Sequence, residues 1–125
     1  MPQTRTVQVG VSLSDNPIAK LEIRVKPWAV VTYEGDIVEW KPVAINGQAV
    51  RVTNMEIYRQ TGAGVWPFDD SRPFKGKKPK SGKRKPLGGK LKGGTKVPYT
   101  IVITFTDDDG NDRTASIDPD MIIPD

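Results

Sequence analysis

The densest group of chemically active side chains in this sequence is a basic tract between residues 75 and 96. It holds ten of the nineteen Lys and Arg residues and none of the fifteen Asp and Glu residues, so the tract carries +10 and the rest of the chain −6. Ammonium groups on a backbone rich in Gly and Pro can neutralise phosphates and release counterions, which gives salt-dependent binding without sequence preference. We therefore predict binding of a polyanion such as nucleic acid. The predicted contacts are Lys75, Lys77, Lys78, Lys80, Lys83, Arg84, Lys85, Lys90 and Lys92.

The same tract is compatible with two other interpretations. Its charge is opposite to that of the remaining chain, so it is also expected to dock on an acidic face of its own domain, or to bridge to another copy or a protein partner. Lys offers a point charge without the bidentate geometry of Arg, so composition alone does not choose among these alternatives. A structural or assembly protein is therefore the alternative function. If the tract binds a polyanion, deletion of residues 75–96 is expected to remove that binding and leave the fold intact, whereas for an assembly protein it is expected to change the oligomeric state.

Three aromatic residues precede the tract, namely Trp66, Phe68 and Phe74. Exposed rings beside a basic groove can stack on nucleic-acid bases, so all three are candidates for base or sugar stacking. The alternative is that they close one end of the core and anchor the tract, since Trp and Phe side chains are mostly buried in folded proteins. The second interpretation is favoured because the tract itself contains no aromatic residue.

The acidic turn Asp107–Asp112, with the sequence DDDGND, contains the oxygen ligands that Ca²⁺ prefers. The calcium loop of an EF-hand also needs a Glu six residues after its Gly, whereas Ser116 stands at that distance from Gly110. Asp and Gly are equally favoured in hairpin turns, which explains the cluster without a metal. We predict a turn with no metal site, and calcium stays an open alternative.

The sequence contains no Cys and no His. Disulfides, thiolate nucleophiles, Ser-His-Asp catalysis and imidazole-based metal sites are thereby excluded. The adjacent carboxylates Asp69 and Asp70 do not form a convincing acid–base pair, and no Gly-rich phosphate loop stands between a strand and a helix. We predict that the protein is not an enzyme and binds no cofactor.

Alternating apolar residues predict that β-strands position these groups. The clearest case is YTIVITFT, residues 99–106, in which Tyr99, Ile101, Ile103 and Phe105 occupy one face. Similar alternation occurs in the first half of the chain, and no segment shows a 3.6-residue apolar period. Short strands separated by regular turn signals are typical of an antiparallel sandwich.

We therefore predict one all-β domain over residues 1–125, an antiparallel Greek-key sandwich of about seven or eight strands. A basic Lys/Gly/Pro-rich insert is expected at about residues 69–97. Two dipeptides, Asn46-Gly47 and Asp109-Gly110, predict hairpin turns. No apolar run approaches the roughly 18 residues of a membrane span, and the N-terminus lacks an apolar signal-peptide region. We expect no membrane association and, by default, a cytoplasmic location.

The stretch IRVKPWAVVTYEGDIVEWK, residues 23–41, resembles the N-terminal half of cupredoxin domains. The matching residues are Ile23, Val25, Pro27, Val30, Gly35, Asp36, Val38 and Trp40. In physical terms, Gly35 suits a turn with positive φ and Asp36 can bond to nearby backbone, while Val38 and Trp40 share one face of a strand. A looser similarity extends to residues 93–100, and residues 117–120 are similar to the end of uncharacterised bacterial domains.

The resemblance implies a cupredoxin-like sandwich without a metal. Cupredoxins that carry electrons hold copper with two His, one Cys and often a Met, and this chain contains neither His nor Cys. Electron transfer is therefore not carried over from the family, and Met121 is interpreted as part of the core. The basic tract lies in the half of the chain where the resemblance fades.

Overall fold

The computed structural model describes residues 2–13, 21–43, 51–60, 66–68, 73–85, 95–106 and 110–123. Within these ranges the chain forms nine strands and no helix, which confirms the all-β prediction. The strands are β1 (Thr4–Leu13), β2 (Leu21–Lys26), β3 (Ala29–Val31), β4 (Ile37–Val43), β5 (Arg51–Arg59), β6 (Phe74–Gly76), β7 (Thr95–Thr106), β8 (Asp112–Ile117) and β9 (Asp120–Ile123). The described part of the chain thus contains no helix long and apolar enough to cross a membrane.

The strands form two sheets that share one hydrophobic core. The first sheet has the order β2-β1-β4, and the second has the order β3-β9-β7-β5-β6 with β8 also paired to β7. Val7 and Trp40 of the first sheet are buried in the same cluster as Met55 and Ile103 of the second. This is the two-layer arrangement of a β-sandwich.

The sheets are mixed, so the prediction of a purely antiparallel sandwich is wrong. Strand β1 pairs with β4 in parallel, and β3 pairs with β9 in parallel. Strands β4 and β5 belong to different sheets and do not pair with each other, and the hairpin turn predicted at Asn46-Gly47 lies outside the described residues. Alternation reports which side of a strand is buried, and it carries no information about the direction of the neighbouring strand.

Strand β7 follows its alternating sequence closely. Tyr99, Ile101, Ile103 and Phe105 are all buried, as predicted. The strand then turns back into β8 as an antiparallel hairpin, and Gly110 in this turn has a φ of 82°. The Asp109-Gly110 hairpin prediction is therefore confirmed, because a positive φ is what Gly supplies in such turns.

The turn before β4 gives Gly35 and Asp36 specific structural roles. Gly35 has a φ of 84°, and a Cβ there would lie 3.0 Å from the Pro2 side chain. The buried Asp36 carboxylate accepts hydrogen bonds from the backbone N–H groups of Gln3 (2.8 Å) and Tyr33 (2.9 Å) and from Arg5 Nε (2.9 Å). These bonds tie the start of β1 to the start of β4 and thereby hold the parallel pair together.

The same contacts set the ionisation of Asp36. Burial by itself raises the pKa of this carboxyl group, but the two backbone donors and the Arg5 guanidinium outweigh it, so the pKa is lowered from its ordinary value of 3.8. Hydrogen bonds to the charged form favour that form. Asp36 is therefore a structural anion that stabilises the turn.

Candidate polyanion interface

The described part of the basic tract is not a separate loop. It begins in β6, where Phe74 lies opposite Ile57 of β5, and it then crosses to the edge of β4 that β1 does not occupy. We call residues 79–85 the docked segment. Basic residues predicted to project from a loop are therefore displayed along the edge of a sheet.

Backbone hydrogen bonds hold the docked segment antiparallel to β4. Trp40 N donates to Pro79 O at 3.0 Å, and Ser81 N donates to Val38 O at 2.8 Å. Val38 N donates in turn to Ser81 Oγ at 2.8 Å. Lys80 lies opposite Glu39 in this pairing. The segment therefore completes the polar groups of the β4 edge as a regular strand would.

Farther along, the docked segment bulges away from the sheet. Arg84 N donates to Asp36 O at 2.8 Å, and Gly35 N donates to Arg84 O at 2.7 Å. Between these two pairings the docked segment advances three residues, from Ser81 to Arg84. Its partner advances only two, from Val38 to Asp36, the residue before β4. An extra residue on one side of a pair is the geometry of a β-bulge. Gly82 and Lys83, inside this bulge, are both exposed. The bulge is thus the reason that Lys83 faces solvent.

Arg84 is the one predicted polyanion contact that the described structure removes from the surface. Its backbone lies between the turn before β4 and the stretch 66–68. Arg84 forms an isolated antiparallel β-bridge with Phe68, and Lys85 N donates to Pro67 O at 2.9 Å. Only 7% of Arg84 is exposed, and Arg84 Nε is one of two buried side-chain atoms without a hydrogen-bond partner in the described part. This placement corrects the sequence-based assignment, since a buried guanidinium is not presented to a polymer in solution.

The three predicted stacking residues form a buried cluster instead. Trp66, Phe68 and Phe74 are 4%, 1% and 9% exposed. Phe74 lies 6.2 Å from Trp66 and 5.5 Å from Phe68, and it stacks on Trp40 at 6.3 Å between ring centroids. The stacking hypothesis does not fit this arrangement, because no face of these rings is open to a base. The rings instead anchor the basic tract to the core, which was the alternative interpretation.

The lysines of the tract divide into ion-paired and solvated groups. Lys75 Nζ lies 3.4 Å from Glu56 and Lys80 Nζ lies 3.3 Å from Glu39, while both side chains stay more than half exposed. Exposed lysines of the tract without an ion pair to any other described residue are Lys77, Lys78 and Lys83, together with Lys96 in β7. Lys85 is half-buried, and Lys90 and Lys92 lie outside the described residues.

Sequence reasoning missed the carboxylate that organises this edge. The side chain of Glu39 is only 12% exposed and holds two ammonium groups, Lys41 at 3.2 Å and Lys80 at 3.3 Å. The hydrogen bond from Lys41 lowers the pKa of Glu39, burial opposes it, and the bond from Lys80 lowers it further, so the pKa stays below its ordinary value. Along β4, Glu39 and Lys41 alternate with the core residues Val38 and Trp40. This alternation is the sequence signal that would have placed Glu39 and Lys41 on the outer face.

These contacts overturn the expectation that residues 75–96 can be deleted without effect on the fold. Deletion would remove Pro79 and Ser81, which leaves the N–H groups of Trp40 and Val38 without acceptors, and it would also remove the first two residues of β7. Buried donors that lose their partners are costly. A test of binding therefore has to substitute exposed lysines and keep the backbone.

The predicted calcium turn lies partly outside the described residues. Asp107, Asp108 and Asp109 lie outside the described residues, whereas Asn111 and Asp112 are exposed. Among the described residues, no three acidic side chains are grouped closely enough to hold a metal ion. Calcium binding at this turn stays an open alternative.

Comparison with known proteins does not add a family. No protein-family model matches the chain, and the search of curated proteins found no match either. The interface is therefore argued from its own geometry.

Proposed function

We propose that the chain is a non-catalytic binding module that uses no metal or cofactor and binds polyanions, nucleic acid first, through the exposed lysines of the basic tract. The observation that carries the proposal is the exposure of three lysines at the docked segment, which is hydrogen-bonded to β4. Lys77 and Lys78 precede the segment, and Lys83 lies within it. Ammonium groups that face solvent and have no carboxylate neighbour among the described residues are available for phosphates.

The docked backbone favours this function over binding by a flexible loop. A flexible loop must be ordered when it binds, and that ordering subtracts from affinity. Here Ser81 and Arg84 already fix the path of the chain by backbone bonds to Val38 and Asp36. The lysines between and beside them keep side-chain freedom while their Cα positions are set.

We further propose that the sandwich is of the cupredoxin-like, Greek-key type. The support comes from the signature residues, since Gly35, Asp36 and Trp40 each have a structural role at the junction of β3, β4 and β1. Those roles involve no metal, and the chain has no His or Cys with which to build a copper site. A binding role therefore fits this scaffold better than electron transfer.

The test is a triple variant that removes three exposed charges and keeps the fold contacts: Lys77→Gln, Lys78→Gln and Lys83→Gln. Binding to a fluorescently labelled DNA duplex is followed by anisotropy between about 50 and 200 mM salt. Each lost phosphate contact reduces the slope of log K against log salt by about 0.9, so the triple variant should lose about 2 to 3 units of slope.

The matched control removes the same charge from exposed basic residues of the second sheet that lie outside the tract: Arg51→Gln, Arg59→Gln and Arg113→Gln. If binding depends on net charge alone, both triple variants weaken it equally and the lysine-tract interface is refuted. Absence of duplex binding by the unmodified protein at low salt would refute nucleic acid as the ligand.

A structural or assembly role is the second candidate. Lys75 and Lys80 already match carboxylates of their own domain, Glu56 and Glu39, and the same pairing between copies would join them. Sedimentation at low and high salt distinguishes the two functions. Salt-sensitive self-association that Lys75→Gln/Lys80→Gln abolishes, without duplex binding, would favour assembly.

A further inference from the structure

The outer face of the first sheet carries a second set of basic side chains in register with the docked segment. Gln8 of β1 lies opposite Lys26 of β2 and opposite Lys41 of β4, so the three residues form one row across the strands. All three are exposed. Because adjacent strands lie about 4.8 Å apart, the Cα atoms of Lys26 and Lys41 are about 10 Å from each other.

The next row continues this surface onto the docked segment. Thr6 of β1 lies opposite Glu39, and Glu39 lies opposite Lys80. Glu39 is mostly buried and each of its carboxylate oxygens holds one ammonium group, one from Lys41 and one from Lys80. The acid therefore positions two lysines, which remain 46% and 64% exposed, while adding little negative surface of its own.

The charge of this face is positive among the described residues. The outward positions of β2 and β4, together with Lys80 of the docked segment, hold four basic residues, Arg24, Lys26, Lys41 and Lys80. Two acids share the face, and both are engaged: Glu22 with Arg24 at 2.7 Å, and Glu39 with its two lysines. Lys26 has no ion pair to a described residue, and its neighbours Thr6 and Gln8 are uncharged.

We propose that this outer face of β2-β1-β4 extends the surface that binds the polyanion, and that a nucleic-acid duplex lies across the strands from the docked segment to β2. Lys80, Lys41 and Lys26 contact its phosphates. This inference rests on the proposed function and extends it to two lysines, Lys26 and Lys41, that lie outside the basic tract.

The chemistry of the face favours a duplex over a single strand. Proteins that bind single strands combine a basic groove with aromatic rings on which bases stack. The outward positions of β1, β2 and β4 carry no aromatic side chain, and Trp66, Phe68 and Phe74 are buried. Contacts on this face are therefore to phosphates, which a duplex presents on its outside without unstacking its bases.

The test uses the double variant Lys26→Gln/Lys41→Gln in the full chain, with the same labelled duplex and salt series. We expect the slope of log K against log salt to fall by about 1.8, because two phosphate contacts are lost. The charge-preserving variant Lys26→Arg/Lys41→Arg should keep the slope of the unmodified protein. Unchanged thermal unfolding midpoints for both variants verify that the fold is retained.

The control Arg51→Gln/Arg113→Gln removes two exposed charges from the second sheet, outside the basic tract. If the double variant of the first sheet behaves like this control while the Lys77, Lys78 and Lys83 variant still loses its slope, the inference is wrong and the proposed function stands. If the unmodified protein does not bind the duplex, the proposed function itself fails. Tighter binding of single-stranded DNA, or of heparin alone, would overturn the assignment to a duplex.

Discussion

The two edges of β4 are completed by very different sequences. On one edge lies β1, whose apolar residues Val7, Val9 and Val11 recur at every second position and are all buried. On the other edge lies the docked segment, whose buried residues include Ser81 and Arg84. Both edges satisfy the backbone of β4, although only the first has the apolar alternation by which strands are recognised.

The difference shows that edge protection and core formation are separable. A strand edge needs donors and acceptors, and any extended backbone can supply them. The docked segment supplies them through Pro79 O, Ser81 N and Ser81 Oγ, and it leaves the apolar contribution to the neighbouring aromatic cluster. Because the pairing does not require apolar side chains in the docked segment, its other positions can be occupied by lysines. The composition of the tract is thereby connected with its proposed function.

The largest expected effect comes from the aromatic cluster behind the docked segment. Phe68 is 1% exposed and packs against Trp66 and Phe74, at 5.5 Å between ring centroids in both cases. Phe68→Ala should lower the free energy of unfolding by about 3–5 kcal/mol, because the change removes buried apolar surface and leaves a cavity. Urea unfolding followed by fluorescence measures it.

The control for this prediction is the exposed aromatic Trp28, which is 47% exposed. Trp28→Ala should lower the free energy of unfolding clearly less than Phe68→Ala, because a partly exposed side chain has less buried apolar surface to lose. Equal losses of unfolding free energy would mean that the aromatic cluster behind the docked segment is packed no better than the protein surface. The docked edge of β4 would then lack the packed support that the β1 edge has.

The parts of the fold that sequence reasoning predicted are those in which side chains face a core. Strand β7 was predicted from Tyr99 to Phe105 because alternation reports burial on one side. The turn at Gly35-Asp36 was predicted because positive φ and backbone capping each demand particular residue types. In these places the structure requires particular residue types, so the sequence alone indicates it.

The parts that were missed are held by backbone bonds or depend on distant partners. Pro79 and Ser81 pair with β4 through main-chain atoms that every residue has, so no side-chain pattern marks the pairing. The separation of β4 and β5 into different sheets depends on partners far along the chain, and Asn46-Gly47 contains no trace of it. Arg84 was assigned to the surface by its charge, whereas its position between two edges buries it.

The second prediction concerns Asp36, which serves both edges of β4 with different atoms. Its carboxylate accepts from Gln3, Arg5 and Tyr33 on the β1 side, and its carbonyl oxygen accepts from Arg84 on the docked side. Asp36→Ala should lower the free energy of unfolding by about 3 kcal/mol, because buried donors lose a charged acceptor. Amide hydrogen exchange should accelerate at Gln3 more than at Arg84, since the backbone acceptor remains.

The same carboxylate gives this prediction a pH dependence. Its pKa is lower in the folded chain than the ordinary 3.8, so its stabilisation is complete above that pH and is lost as the pH falls through the folded pKa. Asp36→Asn, which cannot ionise, should therefore lose less stability than the unmodified protein when acidified below 3.8. Identical acid profiles in urea titrations would refute this role for Asp36.

The smallest effect is expected at Ser81, where the docked edge differs most from an ordinary strand. Val38 N donates to Ser81 Oγ at 2.8 Å, so one backbone donor of β4 depends on a side chain. Ser81→Ala should lower the free energy of unfolding by about 1–2 kcal/mol, because this buried N–H loses its acceptor. The exposed Ser116→Ala on β8 is the control and should change it by less than about 0.5 kcal/mol.

Hydrogen exchange separates the two edges in the Ser81→Ala variant. The Val38 amide should exchange faster, while the amide of Trp40 should change little because its acceptor, Pro79 O, belongs to the backbone. Uniform acceleration across β4 and β1 would mean that the edges respond as one cooperative unit. Acceleration confined to Val38 would show that the docked segment is held bond by bond, as expected for an edge completed mainly by main-chain atoms.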